Sequence, residues 1–168
     1  MKITKGTKVK DILPLLTEKR MKYLLDNIQE YPLERPILSM TIGEFAEILM
    51  DEQAYMMKIL NPRERAYIAF GQLKSFKRQM EEISAWMKKY KIKQSAEEKQ
   101  ASIGISFPDF IAKMLITVVQ FFNLHSFKEA ESIPLSDYLV ILQDQSSAIK
   151  YQRNYSKLIE QKSKQHGK

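Results

Sequence analysis

Cysteine is absent from the chain, which removes disulfides, thiolate metal sites and thiol nucleophiles at once and suits a reducing cytoplasm. Glycine and proline are scarce, at five and six. Gly43, Gly71 and Gly104 stand isolated, and neither GxGxxG nor GxxxxGK[ST] occurs, so no phosphate-cradling loop is encoded. Histidine is nearly missing: His125 is the only one ahead of the C-terminal tail. With Glu129 it offers two metal ligands where a site needs three or four, and it supports no Ser-His-Asp triad. It reads as a helix-junction residue.

Long apolar runs are also lacking. The most apolar window, PDFIAKMLITVVQFFNL from Pro108 to Leu124, is broken by Asp109 and Lys113 and falls short of the ~20 residues of a membrane span. It is expected to be a core helix, with no membrane partner. The start, MKITKGTKVKDILPLL, is basic but has no apolar core of the signal-peptide kind. Adjacent carboxylates, Asp51-Glu52 and Glu81-Glu82, fall on amphipathic helices and are expected to be solvated rather than poised for acid–base work. Catalysis, a metal and a cofactor are therefore not expected.

What is present is charge, in blocks. The formal net charge is +7 and the pI about 9.4. Residues 1–10 are basic, 11–60 net acidic, 61–93 basic, 94–149 acidic, and 150–168 basic with Glu160 as the one acid. Such alternation suits contact between neighbouring copies of a chain as well as contact with a polyanion.

Apolar spacing predicts an all-α fold. VKDIL makes a short helix running towards Pro14, and Thr17 opens a second with Met21, Leu24, Leu25 and Ile28 on one face. YPLERP stops it, because proline cannot continue a helical ladder. Thr41 and Glu44 form a capping box for a third helix, expected to continue through Ile59. Asn61-Pro62, with Glu64, then reads as the start of the longest amphipathic element. Along it Ala66, Ala69, Leu73, Phe76, Met80, Ile83, Met87 and Tyr90 step by 3 and 4 without a break, a heptad seam of roughly 40 Å at ~1.5 Å per residue. In a chain this size the seam is expected inside the subunit. A polar loop at 93–102 and an extended or strand-like stretch at 103–107 follow. Then come the core helix, a short helix capped by Ser126 and Glu129, and a long final helix capped by Ser136. The expected organisation is a helical bundle at 1–149 and a protruding basic helical arm at 150–168, with no internal repeat.

Two surfaces stand out as candidate sites. One is the basic stripe of Lys74, Lys77, Arg78, Lys88, Lys89, Lys91 and Lys93, facing DNA or a partner. Its charge suffices for non-specific, salt-sensitive binding. Arginine, the commonest reader of base edges, is scarce beside lysine, and Glu81-Glu82 interrupts the stripe. The other is the arm, where Lys150, Tyr151, Arg153, Tyr155, Leu158 and Ile159 are candidates for a subunit interface. The alternative for the arm is that it frays.

A capped threonine helix (SMTIGEF), a long central helix, a buried apolar helix and a basic C-terminal helix, all without cysteine, resemble the small virion-assembly proteins of tailed bacteriophages. Within that group the chain is similar to helical head–tail connector (adaptor or ring) proteins. Its lysine- and isoleucine-rich style resembles phages of gut Bacteroidetes, including the crAss-like group. The segment HSFKEAESIPLSDYLVILQDQSSAIKYQR (125–153) also looks like the end of phage tail assembly chaperones, which bind the tape-measure protein. The connector resemblance implies a homo-oligomer, a ring, touching portal or tail proteins and packaged DNA. It also implies a virion location after assembly in the host cytoplasm.

Overall fold

Side-chain caps set most of the helix starts. The computed structural model describes residues 3–91 and 109–166, so the expected polar loop at 93–102, the stretch 103–107 and Lys93 lie outside the described residues. Among those residues there are eight α-helices and no strand. Helix α1 (Val9–Ile12) runs into a 3₁₀ turn, Leu13–Leu15, at Pro14. Thr17 Oγ1 accepts from the Arg20 amide ahead of α2 (Glu18–Asn27). A second 3₁₀ turn, Ile37–Ser39, precedes α3 (Ile42–Met50), where the capping box forms as expected: Thr41 Oγ1 accepts from Glu44 N at 3.2 Å and Glu44 Oε2 from Thr41 N at 2.7 Å.

The third helix does not continue through Ile59. It breaks at Asp51, whose backbone ends α3 and whose carboxylate accepts from Ala54 N to open α4 (Glu52–Ile59). Nor does Asn61-Pro62 start the long helix. Asn61 Oδ1 accepts from Arg63 N in a local turn, and α5 begins only at Ala66 (Ala66–Tyr90). The reason is tertiary: residues 62–66 run antiparallel to the N-terminal segment, with Ala66 N donating to Thr7 O and Val9 N to Glu64 O. A backbone committed to that pairing cannot be helical.

The remaining helices are α6 (Phe110–Phe122), α7 (Phe127–Glu131) and α8 (Leu135–His166). Ser126 caps α7, but Ser136 does not cap α8; it lies inside the first turn with its hydroxyl on Asp137. A second antiparallel bridge leads into α8: Ile42 N donates to Ile133 O and Leu135 N to Met40 O. Pro134 sits between, where its missing N–H is not needed.

The centre is α5, against which α1, α2, α4, α8 and the turn 37–39 all pack. The heptad seam is satisfied within the subunit: Ala66, Ala69, Leu73, Phe76 and Ile83 are buried, and Met80, Met87 and Tyr90 half-buried. Phe70, Gly71 and Ser75 are buried as well, because the chain leaving α2 crosses the other side of α5. Helix α6 is less covered than its composition suggests. Met114 and Val118 are fully buried, whereas Phe110, Phe121 and Phe122 are exposed.

One buried group gives the fold an alkaline limit. Tyr138, on α8, is 3% exposed, and burial pushes its phenol up to about 12 from the ordinary 10.0. The unfolded chain loses this proton first, so the associated stability is whole below pH 10 and drains as pH rises towards 12. The slope is ~1.4 kcal/mol per pH unit. Comparing urea unfolding of Tyr138→Phe with the parent between pH 8 and 11.5 isolates it. The phenylalanine variant is expected to resist the alkaline decline better, and equal declines would show that the phenol is not the cause.

Candidate interaction surface

The basic stripe on α5 is partly spent inside the molecule. Lys74 Nζ donates to the Asp26 and Ile28 carbonyls at 3.2 and 3.0 Å, satisfying the end of α2 as a cation at a helix C-terminus does. Arg78 bridges two acids, Glu30 at 2.8 Å and Glu82 at 2.6 Å. Its hydrogen bond holds the Glu30 carboxyl below the usual carboxylate range, and Glu30 in turn raises Arg78. Lys77, Lys88 and Lys91 are exposed, and Lys89 lies 5.2 Å from the Tyr90 ring centroid. Glu81 falls between Lys77 and Lys88 on one strip of the helix, and Glu82 between Arg78 and Lys89 on the next. The face is of mixed sign rather than a cationic track.

His125 and Glu129 do not form a ligand pair. The Glu129 carboxylate accepts from His125 N and contacts the Ser126 hydroxyl, closing the cap of α7. No group of three His, Cys, Asp or Glu residues is placed to hold a metal among the described residues. No helix there is long and apolar enough to cross a membrane.

Two features escaped the sequence reading. A cleft of about 920 Å³ opens beside α2, lined by Leu15, Leu16, Tyr23, Ile28 and Tyr67 with Lys19 and Arg20 at hand. Tyr23 and Lys19 lie off the apolar face of α2. The second is a phenylalanine corner where α6 meets α7: Phe121, Phe122 and Phe127 are all exposed, and the first two rings meet edge-on at 5.2 Å.

The arm carries four of the exposed large apolar side chains of the described residues. Helix α8 runs unbroken to His166 and ends free of the bundle: from Lys150 on, every described side chain is exposed except Arg153, which is half-buried. Exposure of Tyr151 is 70%, of Tyr155 and Leu158 55%, and of Ile159 48%. Tyr151 and Tyr155 stack, 6.2 Å between centroids.

Its orientation decides what it can touch. At ~100° per residue, Leu135, Tyr138, Leu142, Ser146 and Ile149 share the face that packs on the bundle. Tyr151, Tyr155 and Leu158 lie on nearly the opposite face, in line with Val140, which is 65% exposed. A straight helix cannot turn this second stripe onto its own bundle. Compared with known proteins, the chain matches no family model, no curated protein and no solved structure. The arm's chemistry is therefore argued from its own residues. Four large apolar side chains on one face, ringed by Lys150, Lys157 and Lys162, are suited to a protein surface with some acidic character.

Proposed function

We propose that this chain is a structural, non-enzymatic protein that works by protein–protein contact through the outward stripe of its C-terminal arm. The observation that carries the reading is the reversal of faces along α8: Tyr151, Tyr155 and Leu158, beyond Ile149, point away from the bundle that the first half of the helix packs on. An exposed stripe of this kind serves a partner, because burial of large apolar side chains is what stabilises association.

The most concrete form of the proposal is a tailed-phage virion component, a head–tail connector (adaptor or ring) subunit assembling around the DNA channel beside portal or tail proteins. The alternating charge blocks support self-contact, and the resemblance in helical layout supports the setting. The exposed Lys77, Lys88, Lys89 and Lys91 of α5 leave room for non-specific contact with packaged DNA, which Glu81 and Glu82 between them weaken.

The test is a chain ending at Ile149, compared with the full chain by light scattering from 50 mM to 1 M salt. The full chain is expected to self-associate, and the shortened chain to be a monomer with the melting temperature of the bundle retained. A full chain that stays monomeric at every salt would overturn self-assembly and turn the reading to a tail assembly chaperone that docks on a client. Steeply salt-dependent binding of arbitrary DNA by both chains would place the nucleic-acid reading first.

A further inference from the structure

The outward face of α8 has a hidden symmetry. Its positions are Asp144, Ser147, Ala148 and Tyr151, then Tyr155, Leu158, Ile159 and Lys162. The intervals are 3, 1, 3, then 4, then 3, 1, 3, so the pattern reads the same in both directions about residue 153. A palindromic spacing on one helix face is what a two-fold antiparallel pair requires, since each position then meets its mirror position on the other copy.

We infer that α8 is a self-complementary two-fold interface, and that the arm's occupant is the antiparallel α8 of a second copy of this chain. The mirror positions are matched in chemistry as well as in spacing. Asp144 falls opposite Lys162, an acid on a base. Ser147 falls opposite Ile159 and Ala148 opposite Leu158, small residues against large ones, which lets the helices interdigitate. Tyr151 falls opposite Tyr155, and each layer occurs twice. A parallel pair would instead set Lys162 on Lys162 and leave Leu158 on Leu158 with no small residue to receive it.

The geometry of the rest of the chain permits the contact. All eight side chains are exposed or carry their large apolar part in solvent. The bundle packs on the opposite face of α8, so two bundles would lie on opposite sides of the helix pair and at opposite ends of it. Lys150 and Lys157 share one edge, where they meet their counterparts; that repulsion is screened beyond ~10 Å at 0.1 M salt. The overlap from 144 to 162 is only ~30 Å of helix. That puts the contact in the small, transient class of interfaces, so pairing is expected to depend on concentration in the micromolar range. The inference rests on the arm being an interface; a two-fold contact closes on a pair, so any ring would be closed by other faces of the bundle.

The absence of cysteine makes the register directly testable. Ser147→Cys and Ile159→Cys, made in separate chains, each replace an exposed residue and are expected to fold like the parent by circular dichroism. Oxidised at equal concentration, the mixture is expected to give a mixed disulfide dimer, while each variant alone stays monomeric on a denaturing gel. Cross-linking by each variant alone would establish a parallel pair and overturn the inference, and so would no cross-link in the mixture while the full chain still dimerises by mass. If the chain ending at Ile149 self-associates as well as the full chain, the arm itself is not the interface, a failure of the broader proposal that the mass measurement separates from a wrong register. Charge reversal gives a second readout. Asp144→Lys and Lys162→Asp are each expected to weaken association about tenfold or more through like charges facing each other, and the double swap to restore it. Additive losses in the double variant would count against the pairing.

Discussion

Replacing Phe76 with alanine is expected to lower the unfolding free energy by about 3–5 kcal/mol, the usual cost of emptying an aromatic site in a packed core. Phe76 is fully buried in the middle of α5, and its ring lies 5.0 Å from that of Tyr55 on α4. The cost has two parts, the transfer of the ring to water and the cavity left among neighbours that relax only partly. Tyr55 adds a third, because its ring loses the aromatic neighbour it packs against. Domains of this size carry only ~5–15 kcal/mol of net stability, so this one change takes a large share. Urea unfolding followed by circular dichroism should show a clear fall in midpoint with an unchanged slope. A loss below about 1 kcal/mol would mean that α4 and α5 are not packed through this pair.

Gly71→Ala is expected to destabilise the fold by about 1–3 kcal/mol, the range for overpacking, although alanine in an open helix would add ~1 kcal/mol. Gly71 lies in the first half of α5, where the chain leaving α2 crosses it. A Cβ there would stand 2.7 Å from the Gln29 carbonyl oxygen and 2.8 Å from the Tyr31 ring. The ring has somewhere to move, but the carbonyl belongs to a backbone tied down at the adjacent residue, where Ile28 O accepts from Lys74. The crossing must therefore be pushed away from α5 as a unit. The control is Gly6→Ala, where an added Cβ meets nothing within 4 Å. If Gly71→Ala proves as stable as that control, the crossing is looser than the geometry shows.

Much of the bundle was legible in the sequence because it rests on local rules. The seam from Ala66 to Tyr90, the Thr41–Glu44 box and the Ser126 cap depend on residues three or four apart, and periodicity sees that distance. The break at Asp51 is itself local, a cap on Ala54, but other misreadings come from a partner far along the chain. Asn61-Pro62 has every local mark of a helix start, yet the Thr7 carbonyl captures Ala66 N and Arg65 is held extended against Lys8, which delays the helix to Ala66. Lys74 and Arg78 look like a surface stripe until α2 and Glu30 are placed beside them. In α8 the apolar residues Tyr151, Tyr155, Leu158 and Ile159 were visible, but their outward direction was not. That direction is fixed only by which side of the helix Leu135 and Tyr138 bury.

The two backbone bridges also constrain the order of events during synthesis. The Thr7 carbonyl waits for the Ala66 amide, and the Met40 carbonyl for the Leu135 amide. Closing loops of that length is an entropic cost met before any contact rewards it, and contacts so distant in sequence slow the final step of folding. On the ribosome, therefore, the segment around Met40 emerges long before the helix that completes it. Until α8 arrives, Ile42 and Phe45 on α3 lack one wall of their site, and a nascent chain stalled before Leu135 would be the form most exposed to chaperones and proteases.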